Sequence, residues 1–427
     1  MRVAIIGAGI VGVTTAYELA AEGHEVTVFE RRSAVAEGTS FANAGVLAPG
    51  YVTPWAAPGM PAKVLRQLLS RHAAIRLPGA GWLGQLPWLW RWWRACAAKP
   101  YAANRSAMQA LARRSREHQR ELSRRLQLDY EQQDGYLVLL RSQRELDAAR
   151  PGLALLQELG VAHRLVDAEE ARRIEPGLNP ATALAAAIHL HDDGVGNCRQ
   201  FAQLMKVQAQ RLGVFFRFDT TVQRLVPGLQ PRLEVARGHA AGDTELLAPE
   251  ALDAVVVCAG VESAALLAPL RLRLPLAPVY GYSVTAPLRH FEAHPDAAPR
   301  SALMDERYKV AISRLGQRIR VAGSAEIGGR SEHFHPAAMQ TLYQVLDDWF
   351  PGVSQLAQAQ RWKGARPMLP DGPPLIGASG LPGIWLNLGH GSSGWALACG
   401  SAQVLAAQLA GRDPGLDVTR LSIERLR

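Results

Sequence analysis

The sequence predicts an α/β protein: a domain on a parallel sheet, interrupted by an α+β domain built on an antiparallel sheet. Three observations predict this. The first thirty residues read strand, glycine turn, helix, strand, which is a βαβ unit. Apolar strand-like runs recur far downstream at 254–260 (AVVVCAG) and 384–388. Between these two runs, residues 276–285 and 308–322 alternate apolar and polar, as an antiparallel sheet with one wet face does.

The elements follow in order. Residues 3–6 form a buried strand, 7–12 a turn, 13–22 a helix stopped by Gly23, and 25–30 a second strand. A long helix with an Arg-rich face is expected over 104–126. Strands are expected over 135–140 and within 214–226, with a helix over 199–212 between them. The last strand, 384–388, leads through GHGSSGW (389–395) into a final helix ending near Leu409. The 427 residues, 48% of them hydrophobic, suit one large domain or two interleaved ones. The expected division gives 1–75, 186–268 and 358–427 to the parallel-sheet domain, and 76–185 and 269–357 to the inserted domain.

The net charge of +9 is local. Residues 71–130 carry eleven Arg and one Lys against Glu117, Glu121 and Asp129, and five of the ten Trp (Trp82, Trp88, Trp90, Trp92, Trp93). Trp interleaved with Arg suits a membrane–water interface; a solvated Arg face beside a Trp-rich core patch is the plainer alternative. No helix-turn-helix, zinc or RNA-binding motif supports nucleic acid as the partner. Charged Arg2 runs straight into the first strand, so no leader is expected, and no apolar run reaches bilayer-spanning length. A cytoplasmic protein, peripheral to the inner face of the membrane, is therefore expected. The four cysteines are scattered and read as buried thiols. His189 and His191 lack further ligands at useful spacing and read as loop residues, so no metal site is expected.

GAGIVG places Gly7, Gly9 and Gly12 in the G-x-G-x-x-G spacing. The first permits the tight turn, the second lets backbone approach a pyrophosphate, and the third lets helix pack on strand. Glu30 ends the next strand, where a carboxylate accepts from a ribose 2′-OH. After it comes a polar, glycine-bearing segment with Ser40, Asn43, Gly45 and Gly50, suited to a cofactor that continues past the pyrophosphate.

GAGIVG…VFE, TSFANAGVLAPGYVTPWAAPG, AVVVCAG, GARPMLPDGPPLIG and LNLGHGSSGWALACG together span nearly the whole chain. On these motifs the sequence resembles the small-subunit group of D-amino acid dehydrogenases, within the flavoprotein superfamily of D-amino acid oxidase, glycine oxidase and sarcosine oxidase. The resemblance implies an FAD-binding Rossmann-type (glutathione-reductase-like) domain with an inserted α+β substrate domain. By the same resemblance Gly7, Gly9, Ile10, Gly12, Glu30 and Arg31 hold the ADP half. Ser40, Asn43, Gly45 and Val46 pass beside the pyrophosphate and flavin ring, Val222 meets adenine through its backbone, and Gly260 closes a second crossover near the phosphates. Gly389, Gly391, Ser392, Ser393 and Gly394 form a helix-N-terminal turn against the flavin pyrimidine edge, where the glycines let backbone approach the ring. None of the cysteines lies in the ARPMLPDG stretch that matches the attachment site of covalent relatives, so non-covalent FAD is expected.

Pro367, Pro370, Pro373 and Pro374 stiffen the backbone after Arg366. A guanidinium there grips a carboxylate through two parallel hydrogen bonds, and the resemblance gives Arg366 that role toward the amino acid. An ion pair with Asp371 is the structural alternative. Tyr280, Tyr282 and Tyr308 sit on the alternating strands and either contact substrate or pack; the same choice holds for His390. The reaction expected is oxidative deamination of D-amino acids to 2-oxo acids and ammonia, with electrons passing to a quinone or other respiratory acceptor. Rival readings are dehydrogenation of a cyclic secondary amine such as D-proline or D-hydroxyproline, an oxygen-using D-amino acid or glycine oxidase, and a flavin-bearing binding protein without turnover.

Overall fold

The computed structural model describes residues 1–67, 72–237, 245–246, 252–289 and 297–426. Arg71, the first residue of the basic stretch, lies outside the described residues.

Arg2–Ile6 is a central strand of a six-stranded sheet, with Ala254–Val257 on one side and Glu25–Phe29 on the other, both parallel to it. Phe215–Arg217 extends the sheet beyond 25–29, and Ile384–Leu388 extends it beyond 254–257. Only the edge strand Leu375–Ala378 runs antiparallel. The continuous apolar runs follow from burial of both faces. Val3 and Ile5 face a core shared by helices Ile10–Ala21, Cys198–Arg211 and Gly394–Leu409, whereas Ala4 and Ile6 face one shared with strands Thr220–Val226 and Arg232–Arg237.

The long helix Ala98–Arg125 joins the first of these cores through Met108, Leu111, Ala112 and Leu122. It crosses the last helix at Gly400, where a Cβ would stand 2.9 Å from the Leu111 carbonyl oxygen. Its Arg-rich face is largely occupied within the molecule. Arg116 and Arg120 donate to the Asp192 carbonyl, Arg113 to the Leu159 carbonyl, and Arg125 to the Tyr17 hydroxyl.

The second sheet orders Gln360–Met368, Ala277–Pro287, Arg318–Ile327, Val310–Leu315, Ala302–Asp305, Gln133–Leu140, Ala186–Val195 and Val46–Leu47, with Ile75–Arg76 and Arg164–Asp167 attached at its side. Most pairs are antiparallel, but 302–305 runs parallel to 133–140. His189 and His191 lie on the strand 186–195, not on a loop. No group of three or more His, Cys, Asp or Glu among the described residues is arranged to hold a metal.

The expected wet face is not there: nearly every residue of 277–287 and 318–327 is buried. Helix Pro336–Trp349 packs its Leu342, Leu346 and Trp349 on one side, against Tyr282, Val284, Ile312 and Val321. Residues 39–44 cross the other side as a strap. Thr39 Oγ1 donates to the Ala365 carbonyl (2.6 Å), Ser283 Oγ to Ala42 (2.8 Å), Arg320 Nη1 to Asn43 (2.9 Å) and Ser313 Oγ to Ala44 (2.7 Å). Each of four adjacent strands thus contributes one contact. The polar positions of the alternating pattern face this strap, not water.

Candidate functional site

Strap, glycine turn and both sheets enclose one cavity of about 1400 Å³. Pockets for drug-sized ligands run to roughly 1,000 Å³, so this one has room for a dinucleotide and a small substrate together.

At one end, Gly7 turns the chain out of the first strand with φ +101°, and its Cβ would lie 2.7 Å from the Cys258 carbonyl oxygen. A Cβ on Gly12 would overlap the Gly7 carbonyl. Gly9 differs: a Cβ there would approach only Ser40 Oγ, at 3.5 Å, and the residue faces the cavity. Ser40 Oγ accepts the Ile10 N–H at 3.1 Å, which fixes the mouth of the helix. Glu30 lines the cavity and accepts the Ala8 N–H (2.7 Å) and the Arg32 N–H (2.9 Å), one on each carboxylate oxygen. Each oxygen keeps a lone pair for a ribose hydroxyl. Arg31 pairs with Glu262 at 2.5 Å, and Val222 and Gly260 line the same end. Asn43 and Val46 line the cavity beyond. Gly12 and Gly45 do not; Gly45 shapes the strap with φ +76° and accepts Trp395 Nε1 at 3.3 Å.

At the other end stands Arg366, on the edge strand 360–368. Its Nη1 donates to the Ser324 carbonyl at 2.9 Å, its guanidinium lies 5.9 Å from the Trp55 ring, and no carboxylate is within ion-pair distance among the described residues. Burial lowers its pKa to about 10, so it is still charged at neutral pH. Asp371 is paired with Arg425 instead (2.8 Å), which removes the ion-pair alternative. A Cβ on Gly281, one strand away, would overlap Arg366 Nη2. The sequence reading missed Gly281, although a glycine inside PVYGYSVT was the signal for close approach of another group.

His390 is 3% exposed and lines the cavity, and its Nε2 has no hydrogen-bond partner. Burial drives its pKa down to about 3, so the ring is neutral. Gly389 and Gly391 take φ +77° and +56°. Their missing Cβ atoms point at Leu369 (2.5 Å) and Met368 (2.7 Å), so packing and backbone sign already favour glycine at both positions, which also line the cavity. Ser392, Ser393 and Gly394 line the cavity, and Ser392 Oγ accepts Trp55 Nε1 at 3.1 Å.

Tyr280 lines the cavity with Lys363 Nζ 4.8 Å from its ring. Tyr282 is buried and donates to Glu326, which is ion-paired with Lys363 at 2.8 Å. The structure does not bring Tyr308 to the cavity; it packs beside His72 and under the Arg141 guanidinium, 5.2 Å from its ring. Its neighbour Lys309 does line the cavity, together with Tyr51, whose hydroxyl donates to Glu306 Oε2 at 2.7 Å. Cys258 is the cysteine among the described lining residues; burial raises its thiol to about 12, which keeps it protonated and unreactive.

A cavity with room for a dinucleotide that opens onto a part-buried guanidinium, without a carboxylate partner among the described residues, suits the class of enzymes in which a bound nucleotide cofactor meets a small anionic substrate. The family is settled by similarity: the chain belongs to the FAD dependent oxidoreductase family, whose profile matches residues 2–408. It is 44% identical over 427 residues to a D-amino acid dehydrogenase of Cereibacter sphaeroides, covering all of this chain and 95% of the relative. It is 41% identical over 431 residues to one of Bradyrhizobium diazoefficiens, covering all of this chain and 99% of that one. The fold matches glycine oxidase from Geobacillus kaustophilus with a TM-score of 0.72 at 22% identity, over 99% and 98% of the two chains. FAD is the cofactor, and the open position at Gly9, the Glu30 carboxylate and the free His390 Nε2 fit it.

Proposed function

We propose that the chain oxidises D-amino acids to 2-oxo acids and ammonia, using non-covalent FAD and passing the electrons to a quinone or another respiratory carrier. The observation that carries the reading is Arg366: a charged, part-buried guanidinium with no carboxylate partner among the described residues, in the same cavity as the glycine turn. Withdrawing an unpaired charge from water is unfavourable, and a substrate carboxylate offsets that cost. The relatives named D-amino acid dehydrogenase supply the substrate class.

In this reading Gly9, Ile10, Glu30, Arg31, Val222 and Gly260 receive the ADP half, and Asn43, Val46 and the 389–394 turn flank the flavin. When bound, FAD supplies the two-electron acceptor for the hydride that leaves Cα. The chain's own work is orientation. Arg366 fixes the carboxylate, Gly281 leaves room for that pose, and Tyr280 closes the cavity wall beside it. His390, too weak a base to take the amine proton, offers one hydrogen bond from a neutral ring.

Anaerobic mixing with a panel of D- and L-amino acids tests the reading. Bleaching of the flavin by D-amino acids is expected. Bleaching only by D-proline or D-hydroxyproline moves the assignment to a secondary-amine dehydrogenase, and no bleaching by any of them overturns it. In air, hydrogen peroxide formed one-to-one with turnover overturns the carrier as acceptor.

A further inference from the structure

We propose that helix Leu86–Ala95 and the turn before it dock the protein on an anionic lipid surface, next to the mouth of the cavity. This rests on the reading of a membrane-borne electron acceptor for the purpose of the contact, but not for the contact itself.

The helix is apolar on opposite faces. Trp88, Trp92 and Ala95 turn inward; Trp88 is 5% exposed and donates Nε1 to the Met368 carbonyl at 2.9 Å. Leu86, Trp90 and Trp93, at i, i+4 and i+7, turn outward with 49%, 59% and 53% exposure. Leu83, in the preceding turn, adds 50%. The Trp90 and Trp93 rings stack on each other at 5.1 Å. A helix facing water carries polar residues there, and a contiguous exposed apolar patch marks an interaction surface.

Charge selects the occupant. Arg91 and Arg94 flank the exposed stripe and make no ion pair or hydrogen bond among the described residues. No acidic residue occurs anywhere from Gly38 to Arg116, a run of 79 residues with eleven Lys and Arg. On the long helix that follows, the arginines are occupied internally, so the free cations concentrate beside the tryptophans. A second copy of this surface would set like charges against each other. An anionic bilayer pairs with them, while indole rings settle at the headgroup level. Location agrees: Met60 and Trp55 line the cavity and pack in the same clusters as Trp92. Helix Met60–Gln67 adds Leu65, 69% exposed.

The test uses the FAD-loaded protein with vesicles of phosphatidylcholine alone, or with one quarter phosphatidylglycerol. Sedimentation with the anionic vesicles, a blue shift of Trp emission, and release by high salt are expected. Trp90→Ser/Trp93→Ser is expected to abolish the shift and lower partition at least tenfold, and Arg91→Gln/Arg94→Gln to lower it about fivefold per charge. Both variants should retain wild-type flavin reduction by D-amino acids in solution, which shows that they fold. No binding by the wild type, or binding unchanged in the Trp variant, overturns the docking surface. So does a concentration-dependent dimer that Trp90→Ser/Trp93→Ser dissociates. Failure of flavin reduction with vesicle binding intact would instead count against the enzymatic reading and leave the surface standing.

Discussion

The two ends of the cavity satisfy their polar groups in opposite ways. At the glycine turn the named groups already have partners within the chain: Glu30 accepts two backbone N–H groups, Ile10 N–H reaches Ser40, and Arg31 pairs with Glu262. At the clamp, among the described residues, Arg366 has one carbonyl and no counter-ion, and His390 Nε2 has no hydrogen-bond partner. A resident cofactor sits against a frame that is stable before it arrives. A transient substrate needs groups whose hydrogen bonds it alone completes. Changes at the first end should therefore act on fold and FAD content, and changes at the second on substrate kinetics.

The largest effect should come from the clamp. Arg366→Ala should lower kcat/KM about 30- to 5,000-fold, the range for losing one partner of a buried charge pair, while the flavin spectrum shows full occupancy. Loss of FAD would break the division between the ends. Gly12→Ala drives a Cβ into the Gly7 carbonyl and should cost about 1–3 kcal/mol of stability or more. Thermal melting with and without added FAD would show both forms weakened. Gly281→Ala displaces the guanidinium and should raise KM roughly 5- to 100-fold with FAD retained. Equal kinetics would mean that Arg366 grips substrate from another pose.

Gly9→Ala sharpens the contrast with Gly12. Its Cβ meets no protein atom closer than 3.5 Å, so the melting point without FAD should be unchanged while FAD binding weakens, by about tenfold for a loss of ~1.4 kcal/mol. The smallest effect concerns pH. Burial raises the Asp193 carboxyl to about 7 in the folded chain, from 3.8. The folded state then holds a proton that the unfolded state releases. Stability from this group is full below about 4 and is lost as pH rises through about 7. Asp193→Asn should gain on the wild type in melting point across that window, and a constant difference would refute it. His390 works the other way, since its lowered pKa removes stability only as pH falls from 6.5 toward 3.

Legibility in the sequence followed the distance over which each feature is built. GAGIVG and Glu30 were readable because strand, turn, helix and acid fall within thirty residues and obey local spacing. Arg366 was readable as a clamp candidate, but only the contact between Asp371 and Arg425 removed its structural alternative. Tyr308 and Lys309 are sequence neighbours, and periodicity could not tell which reaches the cavity. The Arg-rich face of 98–125 looked like free charge because its acceptors, two carbonyls and a tyrosine hydroxyl, lie far along the chain.

By itself the sequence determined the βαβ cradle, the apolar strands of the parallel sheet, the second glycine turn and the cluster of Arg with Trp, because these depend on residue type and short-range period. Tertiary structure alone decided that the alternating strands bury their polar face under the 39–44 strap. It also decided that Gly281 makes room for Arg366 and that Leu369 and Met368 favour glycine at Gly389 and Gly391. Only there, too, does the basic segment divide into an internally bonded helix and an exposed Trp-Arg face. The physical reason is common to all four. Each is a contact between strands or helices distant in sequence, and a hydrogen bond or a steric limit of that kind leaves no periodic trace in either partner.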